Sequence, residues 1–185
     1  MTGTISPGPR ARLLAGLAGA VLVGALLAIA GPAPADAAKT VEMKGGGKNL
    51  RFVAPKSVRK GKALRVVNQT NPERVGPHTF TLVSKKVMPT TRRQQNKCFD
   101  GPKRVCFRAA VAHEVDFETF EVGRPLVEAG RPGWDRSFTK TRIGDSWYTE
   151  TEDEALSQKV SAKRGKILRF LCIVHPFMQG KIEVR

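Results

Sequence analysis

Near its C-terminal end the chain reads "RFLCIVHPFMQGKIEV", which places Cys172, His175 and Met178 three residues apart. A thiolate, an imidazole and a thioether are soft or borderline ligands, and on one short loop they could converge on a single soft metal ion. The competing reading is a buried strand in which Cys and Met are ordinary core residues and His175 is incidental. The three-residue rhythm alone does not separate the two.

A trigonal site of one thiolate and two imidazoles with a weak thioether needs a second histidine. The chain has three, His78, His113 and His175. His78 opens the strand-like run "HTFTLVS" and follows "VGP", a turn that would hold it at the end of a sheet. His113 lies in a segment with weaker strand character, where a surface or hydrogen-bonded histidine is the simpler reading.

The elements that must position these residues read as short strands. "NLRFVAP", "KALRVVNQT", "HTFTLVS", "SWYTE", "KILRFLCIV" and "GKIEVR" are rich in Val, Ile, Leu, Phe and Thr and are bounded by Gly, Pro, Asn or Lys-Gly turns. No amphipathic helix of convincing length interrupts them, although Glu152 to Ser157 fits a single helical turn. An all-β chain of this kind buries its apolar faces most simply as a two-sheet sandwich. Between the third and fourth runs the pattern breaks. Residues 85–141 carry Pro, Gly and many Arg and Lys, and only "AAVAHEVDFETFEV" within them reads as extra strand. This is an insertion into the sandwich, and at such a length it should have structure of its own.

The N-terminal 38 residues have a different character. Arg10 and Arg12 precede an apolar stretch from Leu13 to Ala30, and Ala35-Asp36-Ala37 follows. That is the order of a secretory signal, with cleavage near Ala37 or Ala38 and a mature domain over 39–185. The alternative is an uncleaved anchor, since 18 apolar residues nearly span a bilayer. The expectation is a protein that acts outside the cytoplasm: secreted, periplasmic or at the cell surface. The whole chain carries a formal charge of +16; without Arg10, Arg12 and Asp36 it retains 30 basic and 15 acidic residues, or +15. Such a charge favours acidic protein partners or an anionic membrane or wall surface. Nucleic acid is not expected, because the aromatic residues do not alternate with the basic ones as stacking platforms would.

Export also bears on the three cysteines. Pairing Cys98 with Cys106 would close a small ring inside the insertion and leave Cys172 free for a metal. A zinc site at Cys98 and Cys106 is a weaker alternative, because no suitably spaced Cys/His pair accompanies them.

Taken together, "CIVHPFMQGKIEV" and the upstream "GPHTF" resemble the small blue copper proteins, the cupredoxins, and most closely their amicyanin-like and plastocyanin-like group. The resemblance covers about residues 41–84 and 146–185 and leaves out the insertion. It implies a Greek-key β-sandwich holding one type 1 copper ion, with His78 and His175 as imidazole ligands, Cys172 as thiolate and Met178 as the long axial ligand. It also implies a monomeric one-electron carrier rather than an enzyme, with Pro176 and Phe177 at the surface where a redox partner docks. Copper storage or delivery, or a wall-associated module without redox activity, are the alternatives. Thr79 stands where that group commonly has Asn, and the insertion separates His78 from Cys172 by 94 positions.

Overall fold

A computed structural model describes residues 38–185; the expected signal lies outside the described residues. Among the described residues ten strands form two sheets. The first contains β1 (Lys39–Lys44), β2 (Arg51–Val53), β4 (Ala63–Asn68) and β8 (Ala155–Lys159), in the order β2-β1-β4-β8. The second contains β3 (Ser57–Val58), β5 (His78–Val83), β6 (Leu126–Val127), β7 (Ser146–Thr149), β9 (Ile167–Leu171) and β10 (Gln179–Val184), in the order β3-β10-β9-β5-β7-β6. Most pairings are antiparallel, while β1 with β4 and β10 with β3 are parallel. The chain passes repeatedly from one sheet to the other, giving the all-β Greek-key sandwich expected.

The period-2 alternation of the strands builds the core. Val41 and Met43 on β1 and Leu64 and Val66 on β4 face Phe80 and Leu82 on β5, Leu168 and Phe170 on β9, and Ile182 and Val184 on β10; all are buried. Phe80 is the hub, edge-on to Phe52 and Trp134 and tilted against Phe170 at a centroid distance of 4.6 Å. Gly180 lets Phe170 cross β10, since a Cβ there would stand 2.3 Å from the phenyl ring.

The segment between β5 and β7 has its own structure. Besides β6 it holds α2 (Arg92–Asn96), with a capping box between Thr91 and Gln94, and α3 (Val105–Ala112). A disulfide joins Cys98 to Cys106. Val105, Cys106, Ala109 and Ala110 on α3 pack on Val83 of β5, Leu171 of β9 and Ile173 just beyond it. This second core explains why all six residues of β5 are buried.

Two local expectations are corrected. Residues 109–112 of the supposed strand "AAVAHEVDFETFEV" belong to α3, because Ala favours the helix and the spacing of Val105, Cys106, Ala109 and Ala110 makes one buried stripe. The remainder forms a turn with a single bridge between Val115 and Val122. The supposed helical turn Glu152 to Ser157 is instead a tight turn at Glu152 and Asp153 followed by β8, whose Leu156 pairs opposite Val66 and packs on the core. The structure also adds β1 to the strand-like runs: its sequence signal is only Val41 and Met43 before a glycine run, and pairing on two sides makes it a strand.

Candidate metal centre

His78 is the first residue of β5, and the approach to it is fixed locally. Asn71 caps the short helix α1 (Pro72–Val75), accepting from the Arg74 amide at 3.2 Å, and Gly76, at φ 80°, turns the chain into Pro77. Cys172 directly follows β9. The loop after it closes by two backbone bonds: the Cys172 amide donates to the Met178 carbonyl at 3.1 Å, and the Met178 amide to the His175 carbonyl at 2.8 Å. The Gln179 side chain donates to the Pro176 carbonyl at 2.7 Å and to the Pro89 carbonyl at 2.6 Å, which ties this loop to the start of the insertion.

These elements bring together the nitrogen and sulfur donors read from the sequence. The donor atoms of His78, Cys172 and His175 all lie within 4.8 Å of one another, and among the described residues they are the one such group. Nδ1 of each histidine stands 3.7 Å from Cys172 Sγ, and the two rings are 4.9 Å apart between centroids. With metal–sulfur and metal–nitrogen bonds of about 2.3 and 2.0 Å, donors subtending roughly 110–120° at an ion would be about 3.5–3.8 Å apart. The observed separations fit an ion between them. Met178 is buried in the same core cluster as Cys172. His78 and Cys172 are fully buried and His175 is partly exposed. A thiolate with two imidazoles, a thioether close by in sequence and dry surroundings suit a copper ion.

Burial shapes the titration of all three. It pushes His78 down to about 4, helped by the charge of His175. His175 is lowered chiefly by burial, against the Val75 carbonyl at its ring. Burial pushes the Cys172 thiol up, while the amides of Thr79, His175 and Val174 and the Thr79 hydroxyl pull it back. Both imidazoles are therefore held neutral, the form in which they ligate a metal. The closest contact to the sulfur is the Thr79 amide, which donates to Sγ at 3.3 Å, while the Thr79 hydroxyl accepts from the Ile173 amide at 2.9 Å. The sequence marked Thr79 as unusual but could not show that its hydroxyl bridges the two strands.

His113 is not brought to this group. It is buried, with Nδ1 2.6 Å from the Arg124 carbonyl and Nε2 2.7 Å from the Ser146 hydroxyl. Cys98 and Cys106 are in their disulfide, and Cys172 is the free cysteine. Phe177 is 47% exposed and sits edge-on to His175 at 5.9 Å, with Pro176 half-buried between them. Beside this loop Pro77, Ile173 and Val174 line an apolar cleft of about 600 Å³ with Phe99, Phe107, Phe117 and Phe120 of the insertion.

No protein-family model and no curated protein matches the sequence. Among solved structures, a reduced Cu(I) variant of amicyanin aligns over 82% of this chain and 85% of its own, at 14% identity and a TM-score of 0.41. Auracyanin A, a blue copper protein from the green thermophilic photosynthetic bacterium Chloroflexus aurantiacus, aligns over 79% and 96%, at 16% identity and 0.41. A multi-copper oxidase from Pediococcus acidilactici aligns over 80% of this chain but 25% of its own, at 12% and 0.37. Likenesses at that level say nothing of chemistry. The chain is cupredoxin-like in its own two-sheet architecture and its His78, Cys172, His175 group.

Proposed function

We propose that this protein is an exported one-electron carrier of the blue copper kind, with His78, Cys172, His175 and Met178 as ligands. The observation that carries the reading is the convergence of two neutral imidazoles and one thiol, drawn from sheet ends 94 residues apart, at separations an ion would impose. Bound copper would supply a single-electron couple between its cuprous and cupric states. The chain's own residues do the rest. β5 and β9 hold His78 and Cys172 on a rigid sheet, so the donors keep one geometry when the charge changes. Phe80, Trp134 and Phe170 are buried in the same core cluster as Cys172 and Met178, which keeps that side of the site dry. His175, the one partly exposed donor, is where an electron would leave for a partner, across the patch made by Pro176 and Phe177.

A carrier fits better than a redox enzyme. Of the chain's three histidines two are in this group and the third is satisfied elsewhere, so no second histidine-rich metal centre can be built from it. The domain is read as residues 39–185 after a cleaved signal. Among the described residues no helix is long and apolar enough to cross a membrane. Its partner is a redox protein, and the +15 charge of residues 38–185 favours an acidic one.

The test is the visible spectrum of the purified protein with Cu(II). The expected outcome is an intense charge-transfer band from thiolate to copper that disappears in Cys172→Ser, since a hydroxyl is a poorly ionised, hard replacement for a thiolate. A Cys172→Ser protein with the same band would sink the assignment, and a colourless but copper-loaded wild type would favour storage or delivery.

A further inference from the structure

At the end of β5 away from His78 the chain gathers positive charge. β5 runs from His78 to Val83, and at roughly 3.3 Å per residue its far end lies about 17 Å from His78. Val83 pairs with Arg169 on β9, and the Ser84 amide donates to the Phe138 carbonyl at 2.9 Å, which brings residues 136–142 to the same edge. That segment is tied down from both sides. The Thr139 amide donates to the Arg142 carbonyl at 3.0 Å, the Arg142 amide to the Thr139 hydroxyl at 3.1 Å, and the Arg108 guanidinium of α3 to the Thr139 carbonyl.

The recess between these elements has a volume of about 360 Å³ and is lined by Lys85, Arg136, Arg142, Lys166 and Arg169. Among the described residues Asp135 is the one carboxylate in its wall. The Lys166 ammonium donates to the Asp135 carbonyl, while the side chains of Lys85, Arg136, Arg142 and Arg169 make no hydrogen bond or ion pair among the described residues. A neighbouring recess of about 520 Å³ continues the pattern, with Lys86, Lys103, Arg104 and Lys140 and no carboxylate in its described wall. Like charges around one recess repel one another, and anions relieve that repulsion. Arginines without a carboxylate partner keep their paired N–H donors for phosphate oxygens. Two aliphatic side chains stand among the cations: Ile167, 40% exposed in the wall of the recess, and Ile143, 46% exposed, next to Arg142. A free, hydrated phosphate ion gains nothing from them, whereas a lipid surface offers phosphate and hydrocarbon together.

We propose that this edge of the molecule is a docking site for an anionic lipid surface: the Arg and Lys side chains around the recess take headgroup phosphates, and Ile143 and Ile167 enter the headgroup boundary. The site is separate from the metal group and does not depend on the copper reading. A molecule held there keeps Pro176 and Phe177, which follow the opposite end of β9, away from the lipid and open to a redox partner. Its electrostatic part weakens as salt screens the charges.

The experiment measures co-sedimentation of the purified full chain with vesicles of phosphatidylcholine, with and without an equal part of phosphatidylglycerol. Two double variants of the same net charge are compared. Lys85→Glu with Arg142→Glu changes the recess; Lys48→Glu with Arg74→Glu changes the His78 end, where Arg74 lies on α1 and Gly46, two residues before Lys48, faces Val75. All four side chains are exposed. With about a fivefold gain for each basic residue near an anionic surface, the recess variant should bind the phosphatidylglycerol vesicles more weakly than the control variant by about tenfold or more. Ile143→Ser should weaken that binding several-fold. Every variant carries the same N-terminal segment, so the comparison does not read it. Should a double variant fail to fold, Arg142→Gln against Arg74→Gln repeats the comparison. Equal binding by the recess and control variants, or unchanged binding by Ile143→Ser, would overturn the proposal. So would release from the vesicles by inorganic phosphate beyond that caused by chloride at equal ionic strength, which would make the recess a site for the free ion.

Discussion

His78 is the residue at which burial and chemistry meet most directly. Its pKa, about 4 in the folded protein, lies below its ordinary value of 6.5. A folded value below the unfolded one means that the unfolded chain takes up the proton first. The stability it contributes is complete above about pH 6.5 and is lost as pH falls through about 4. Metal-free protein should therefore unfold at progressively lower denaturant between pH 7 and pH 4, and His78→Phe should flatten part of that slope. Denaturant midpoints across this range measure it; a wild-type midpoint independent of pH would mean that the ring is not buried as neutral imidazole. Copper and protons compete for the same nitrogens, so the metal should be released over the same acid range.

At the scale of the elements, the insertion does two things for the site. α3 and the disulfide cover the outer face of β5 and β9, and the Gln179 bridge to Pro89 joins the insertion's first residues to the ligand loop. The disulfide spans a separation of 8 residues. Replacing Cys98 and Cys106 together with Ser should lower stability by about 2–3 kcal/mol and leave the copper colour intact, because neither sulfur is a ligand. Thermal denaturation with and without copper, beside the visible spectrum, checks both halves; loss of colour would show that the insertion must be closed for the site to form. Asp145 anchors the return from the insertion by accepting the amides of Ala129, Asp135 and Arg136. Asp145→Ala leaves three donors unpaired and should cost about 3 kcal/mol or more, read as a fall in the denaturant midpoint.

For the whole molecule, charge and apolar surface act at different ranges. A net +15 domain draws an acidic partner from a distance, and that attraction weakens as the Debye length shrinks from about 30 Å at 0.01 M to about 8 Å at 0.15 M salt. On the proposed reading, the final approach would be made through short-range contacts at Phe177, which is 47% exposed, and Pro176 beside it. Electron exchange with an acidic redox protein should slow several-fold over that salt range, whereas exchange with a basic one should not. Phe177→Ser should slow exchange with both partners while copper stays bound. Stopped-flow rates over a salt series test this, and equal, salt-independent rates would leave the basic surface without a part in electron transfer.

Much of this protein was legible from residues alone. The strands carrying His78 and Cys172 announce themselves by alternation, and Cys172, His175 and Met178 share one loop whose spacing is local. Net charge is a property of composition, and Cys98 and Cys106 are near neighbours in the chain. What the sequence could not show depends on which surfaces meet. Thr79 and Thr81 alternate with Phe80 and Leu82 along β5, and the packing of the insertion over their face buries them, so their hydroxyls must find partners. Likewise Trp134 lies in the segment read as an insertion yet enters the main core. Leu156 pairs with β4, where a helical turn was expected. His113 looked incidental because its partners, Arg124, Ser146 and the threonines beyond, are 11 to 34 residues away along the chain. Spacing within a loop fixes which donors can converge, but burial decides which polar groups must satisfy one another, and burial is a property of the folded molecule.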